Sequence, residues 1–170
     1  REIQTVNGES FKALAEESAR KIDLLVSDEV ARTSRIAADP LIIRELEQRR
    51  DALLDMTDEE RRRTVEKRKE GWETKDPIAV QAITGSNMAS LLQEYFSGAK
   101  SEADQLIPQV VRSATKMLYV TDMEGNLVTA LTTIPPFANK DTAWWNGAFH
   151  HGVGQLFIED VHFDERAQTY

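Results

Sequence analysis

The stretch Met117-Leu118-Tyr119-Val120-Thr121-Asp122-Met123-Glu124-Gly125-Asn126-Leu127-Val128-Thr129-Ala130-Leu131 decides the class of fold. Met117 to Asp122 and Leu127 to Leu131 read as strands, and Met123-Glu124-Gly125-Asn126 between them reads as a turn, so the segment is expected to form an antiparallel hairpin. Nearly everything before Lys116 carries a helical repeat instead. An α+β fold follows, with a helical portion over 1–115 and a strand-bearing module over 116–170.

Working back toward the N-terminus, Phe11, Leu14, Ala15, Ala19, Ile22, Val26 and Val30 recur at three- and four-residue steps, with Ile36 and Ala37 beyond. Charged residues such as Glu16, Glu17, Arg20, Asp23 and Arg35 occupy the other faces, which predicts one long amphipathic helix from about Val6 to Arg50. Asp39-Pro40 should kink or break it, because proline has no amide hydrogen and turns the preceding residue away from helical angles. Up to Asp39 the rod would be on the order of 50 Å long. Thr57-Asp58-Glu59-Glu60 has the pattern of a capping box and should open a short charged helix to about Trp72. Asp76-Pro77 should start another, weakened at Gly85-Ser86 and ended by Gly98. A further short helix is expected between Ala103 and Ala114.

Working forward from the hairpin, Pro135-Pro136 marks an irregular segment, and a short helix is predicted from about Asp141 to His150. A glycine turn at Gly152-Val153-Gly154 leads into a predicted third strand, Gln155 to Asp160. A turn around Asp164-Glu165 follows, with Ala167 to Tyr170 beginning a fourth strand. Such a sheet keeps an unpaired edge. It is therefore expected to be incomplete within this chain, whether through truncation or disorder.

The chain has 170 residues, 21 basic against 29 acidic, and a formal net charge of -8, so its overall field offers nothing to nucleic acid or an anionic membrane. Arg61-Arg62-Arg63 and Lys67-Arg68-Lys69 are interleaved with Glu59, Glu60, Glu66 and Glu70, which makes a solvated, salt-bridged helix face their simplest reading. There is no cysteine, which excludes disulfides and thiolate chemistry. No apolar run approaches the ~18 residues of a membrane span, and no signal-peptide pattern is present.

With the hairpin, the Trp-Trp helix and the Gly-x-Gly strand in view, the chain resembles the membrane-distal half of a double Cache domain, the PAS-like extracytoplasmic sensor of bacterial transmembrane receptors. The stretches that carry the resemblance are Tyr119 to Val128, Asp141-Thr142-Ala143-Trp144-Trp145, and Gly154 to Asp164. It implies a long signalling helix leading to a PAS-like antiparallel sheet, with a ligand held between the sheet and the tryptophan-bearing segment. It also implies a periplasmic or extracellular location, with the membrane reached only through flanking segments. Family members that bind free amino acids match at Phe137, Thr142, Trp144, Trp145 and Asp160. The aromatic walls and the amine-binding carboxylate are kept, whereas threonine replaces the carboxylate-binding arginine at 142 and phenylalanine a tyrosine at 137. A charged hydrogen bond contributes roughly 1.5–3 kcal/mol, so a small polar or amine-containing ligand is expected in place of an ordinary amino acid.

The candidate ligand-binding residues are thus Trp144, Trp145, Asp160, Phe137, Thr142 and Tyr119. Neighbours on a helix point about 100° apart, so one of Trp144 and Trp145 should enter the core while the other lines the site. An aromatic face near Asp160 would suit a cationic amine. Asp160 could equally cap the turn after it, and Asp122 is expected to serve its own hairpin turn. His150-His151 lacks the i, i+4 spacing that lets two imidazoles share a zinc, and no nucleophile frame or dinucleotide loop occurs. A sensor module with no catalysis, no cofactor and no metal is the resulting expectation. The competing expectation is a helical interaction module, a homodimer through the N-terminal helix with the sheet as a buttress.

Overall fold

The computed structural model describes residues 2–97, 117–152, 154–160 and 165. It is an α+β fold whose small antiparallel sheet is incomplete. Among the described residues, five helices precede the sheet: α1 (Glu2–Ala37), α2 (Pro40–Leu54), α3 (Asp58–Glu73), α4 (Pro77–Thr84) and α5 (Asn87–Ser97). Strands β1 (Tyr119–Thr121) and β2 (Leu127–Ala130) follow, then α6 (Ala143–Phe149) and a tight left-handed turn, His150–Gly152.

Each helix boundary has a local cause. Asp39 breaks the rod where expected: its Oδ1 accepts from the amides of Leu41 at 2.7 Å and Ile42 at 3.4 Å, and Pro40 opens α2. The expected helix from Val6 to Arg50 is therefore two, the first starting at Glu2 and the second running on to Leu54. Thr57 and Glu60 close the capping box, with Glu60 Oε2 accepting from the Thr57 amide at 2.9 Å and the Glu60 amide donating to Thr57 Oγ1 at 3.3 Å. Asp76 Oδ1 caps α4 through the amides of Ile78 and Ala79. Gly85-Ser86 does more than weaken the next helix, because it divides α4 from α5, with Ser86 Oγ accepting from the Ala89 amide. The helix expected between Ala103 and Ala114 and the strand expected at Ala167 to Tyr170 lie outside the described residues.

The hairpin pairs Tyr119 with Ala130 and Val120 with Thr129, then shifts register so that Thr121 faces Leu127. Asp122 Oδ1 holds the turn by accepting from the amides of Glu124 and Asn126, and Gly125 takes a φ of +77° there. Every residue of β2 is buried. On one side Val128 joins Ile36 of α1, Ile42 of α2, and Met88 and Leu92 of α5. A second cluster gathers Leu127 and Ala130 with Trp72 of α3, Ile83 of α4 and Phe137. Buried polar groups are bonded across this junction. Thr129 Oγ1 donates to the Ile83 carbonyl at 2.9 Å and lies 2.9 Å from Ser86 Oγ, while Trp72 Nε1 donates to the Pro135 carbonyl at 3.0 Å. The hairpin is thereby bonded to the end of α4, and the segment after it to α3.

The third strand predicted at Gln155 to Asp160 is not formed. His150, His151, Gly152 and Gly154 all adopt positive φ, and this left-handed run turns the chain back along α6 instead of out beside the hairpin. The returning segment bonds to the helix it has just left: the Gly154 amide donates to the Phe149 carbonyl at 3.1 Å and the Gln155 amide to Ala148 at 2.8 Å. Gln155 Nε2 also donates to the Gly147 carbonyl, and the Phe157 ring lies so close to Gly147 that an added Cβ would stand 2.5 Å from it. Bonding to α6 replaces pairing at the sheet edge, so among the described residues the sheet has two strands.

Along most of its 36 residues α1 is exposed, including Phe11, Leu14, Ile22 and Val26. On a 100° helical wheel these fall on the same face as Ile36, which lies in the core. Among the described residues no helix is long and apolar enough to cross a membrane.

Candidate functional site

Thr142 builds the local frame of the tryptophan pair. Its Oγ1 donates to the Asn139 carbonyl at 2.7 Å and accepts from the Trp145 amide at 3.3 Å, which makes it the N-cap of α6. Asn139 is fully buried beneath it, its Nδ2 donating to the carbonyls of Gly125 and Pro136. The hairpin turn and the start of α6 are locked together through that side chain.

From this cap the two indoles diverge, as adjacent helical positions must. Trp145 is 7% exposed and stacks on Phe149, ring centroids 4.5 Å apart and planes 14° from parallel. Trp144 stays half-buried and meets Tyr119 of β1 edge to face, with centroids 5.6 Å apart and planes at 88°. Edge-to-face contact is a favoured arrangement for aromatic pairs. Tyr119 and Trp144 are thus the two candidates brought into direct contact, with part of each ring left accessible.

The remaining candidates fall elsewhere. Phe137 is 2% exposed and belongs to the Trp72 cluster, so it packs in the core and forms no open aromatic wall. Thr142 commits its hydroxyl to the cap. Asp160 is exposed, at the end of the segment that Phe157 and Gln155 hold against α6. Because that segment follows α6 and not the sheet, the position of Asp160 depends on the left-handed turn at His150 and His151. Those imidazoles lie 5.9 Å apart, tilted by 51°.

Two further features escaped the sequence. Arg68 sits half-buried on α3, donating from Nη2 to the Leu127 carbonyl at 3.2 Å with its guanidinium 5.9 Å from the Phe137 ring centre. Burial first, and the nearby charge of Arg49 second, lower its pKa, with Asp122 acting in the opposite sense. Within the run Lys67-Arg68-Lys69 nothing distinguishes the central arginine except its spacing from Val65 and Trp72, which also face inward. The second feature is the contact between Tyr95 and Asp39, where the phenol donates to Asp39 Oδ2 at 2.5 Å. That bond and the Leu41 amide hold the Asp39 carboxyl below its ordinary pKa, and the same bond, with desolvation second, raises that of Tyr95.

No protein-family model, curated protein or solved structure matches this chain.

Proposed function

We propose that this chain is the ligand-sensing, membrane-distal part of an extracytoplasmic receptor module of a bacterial transmembrane protein, without catalysis of its own. A small polar or amine-containing molecule would settle on the Tyr119–Trp144 face, with Asp160 as the carboxylate proposed to reach it from the returning segment, and the long helix would carry the response. The observation that supports this reading is the sharing of one buried cluster by Val128 of β2 and Ile36 near the end of α1. Close-packed interiors transmit displacement instead of absorbing it. The strand beside the Tyr119–Trp144 pair and the end of a 36-residue helix therefore cannot shift independently. A ligand biases two states only through its difference in affinity between them. The edge-to-face contact of Trp144 with Tyr119 supports this requirement, because a displaced hairpin would change how much of the indole is covered.

The test is tryptophan fluorescence combined with thermal melting across a library of small polar and amine compounds. A binder should shift both signals, and Trp144→Ala and Asp160→Ala should each weaken it. If every compound leaves both signals unmoved, the sensing role fails.

A second reading, a helical interaction module, is favoured by the uncovered row of Phe11, Leu14, Ile22 and Val26 on α1. It expects concentration-dependent self-association that Ile22→Glu and Val26→Glu abolish, with no small-molecule response.

A further inference from the structure

Two inward-facing helical rows each carry an arginine where an apolar residue would continue the pattern. On α2, Ile42, Leu46 and Arg49 share one face at steps of four and three residues. Ile42 is buried in the cluster that holds Val128 and Leu46 packs against it, so Arg49 extends that face by one turn. On α3 the row is Val65, Arg68 and Trp72. Trp72 and Val65 pack with Leu127, and Arg68 Nη2 donates to the Leu127 carbonyl at 3.2 Å. Since Leu127 and Val128 are consecutive, both rows end on the start of β2. The two guanidinium groups converge there: burial lowers the pKa of Arg68, and the charge of Arg49 lowers it further.

Like charges held together and partly out of water are costly unless an anion meets them. Asp122 lies near enough to act on Arg68, but its carboxylate serves the hairpin turn. Oδ1 accepts from the amides of Glu124 and Asn126, and Oδ2 from Asn126 Nδ2 at 3.2 Å. The other half-buried arginines are bonded, Arg32 to Asp28 and Glu29, and Arg61 to the carbonyls of Leu53 and Met56. Arg49 is half-buried too, yet among the described residues it makes no hydrogen bond and no ion pair.

From this convergence we infer that the junction of α2, α3 and the hairpin turn binds a small carboxylate between Arg49 and Arg68. Two guanidinium groups against Asp122 leave a net charge of plus one, which a single carboxylate balances. Arg49 can present two parallel N–H donors to its two oxygens. Arg68 keeps donors beyond the one that meets Leu127. An occupied site would tie α2 and α3 to β2 at once. It goes beyond the sensing role proposed for the Tyr119–Trp144 face and does not depend on it.

The test is proton–nitrogen NMR of the 170-residue chain, following the arginine Nε–H signals during titration with acetate and, at equal ionic strength, with chloride and neutral acetamide. Acetate should move the Arg49 and Arg68 signals along one saturable curve that chloride and acetamide do not reproduce. Arg49→Gln should weaken acetate by about tenfold or more at the Arg68 signal, as expected for loss of a charged hydrogen bond. Arg49→Lys, which keeps the charge without the fork, should recover only part of that loss. In chloride buffer the melting temperature of Arg49→Gln should not fall, because a like charge without a partner has been removed. Arg68→Gln also breaks the bond to Leu127, so the Arg49 variants carry the test. Trp144→Ala should leave acetate binding intact, which separates this site from the sensing face. Arginine signals unmoved by acetate, an acetate affinity unaltered by Arg49→Gln, a lowered melting temperature of that variant in chloride, or tighter binding of inorganic phosphate than of acetate would each overturn the assignment.

Discussion

The phenol of Tyr95 donates to Asp39 Oδ2 at 2.5 Å, bonding α5 to the residue that ends α1 and caps α2. One carboxylate thus serves two tasks, because its other oxygen accepts from the Leu41 amide at 2.7 Å. Tyr95→Phe should remove only the first task and Asp39→Asn should impair both. In a double-mutant cycle read by urea unfolding, the two changes are expected to couple, whereas independent additive effects would show that the bond contributes nothing.

The same pair predicts a pH window. Asp39 has its pKa lowered in the fold, so its contribution is present above the ordinary aspartate value near ~4 and is lost as pH falls through the folded value. Tyr95 has its pKa raised, so its contribution is present below ~10 and is lost as pH rises through the folded value. Arg35 opposes the rise and Glu94 adds to it. Melting temperature against pH should fall at both extremes, and Tyr95→Phe should flatten the alkaline decline attributable to this phenol.

Thr129→Val preserves shape but removes the hydroxyl that donates to the Ile83 carbonyl and lies against Ser86 Oγ. The Ile83 carbonyl keeps the Ser86 Oγ–H, 3.2 Å away, so the loss is that of one hydrogen bond and should cost about 0.5–1.5 kcal/mol. Chemical denaturation measures this directly, and a change near zero would mean that β2 is not held to α4 through this residue.

Trp72→Phe leaves the Pro135 carbonyl without the indole N–H and should likewise cost about 1–3 kcal/mol, while Trp72→Ala should cost about 3–5 kcal/mol through the void it leaves. Equal losses for the two variants would imply that packing at Trp72 matters little.

These contacts show where the sequence speaks and where it does not. Asp39-Pro40, Thr57 to Glu60 and Asp76-Pro77 were legible because a cap or a break is settled within four residues of chain, whereas Gly85-Ser86, read only as a weak point, divides two helices. The hairpin was legible because strand residues flank a turn containing Gly125. The segment from Gln155 to Asp160 was not, since an alternating pattern becomes a strand only if a partner edge is within reach, and two histidines with φ of 42° and 57° send the chain elsewhere. No residue-type preference foretells that. Phe137 and Trp72 illustrate the same limit: an aromatic beside prolines, or at the end of a charged helix, becomes core or wall according to contacts about 60 residues distant. Of the candidate site, the divergence of Trp144 and Trp145 could be read from helix geometry, but the Tyr119–Trp144 contact required the fold.

Gly147→Ala tests the course of the returning segment. The new methyl would stand 2.5 Å from the Phe157 ring, and that ring must move. Alanine favours the helix by about 1 kcal/mol over glycine, so global stability should change little. Proteolysis within 154–160 should nevertheless accelerate, and any ligand that uses Asp160 should bind more weakly. Unaltered proteolysis would place Phe157 elsewhere.

The most direct measurement is a distance between α1 and the hairpin with and without ligand. The chain contains no cysteine, so Ser18→Cys on α1 and Met123→Cys in the hairpin turn, both exposed positions, accept a unique pair of spin labels. Pulsed dipolar spectroscopy on a compound that passes the fluorescence and melting screen should show a displaced distance distribution, and Trp144→Ala should abolish the displacement. A bound ligand that leaves the distribution unchanged would contradict coupling between the Tyr119–Trp144 face and the long helix.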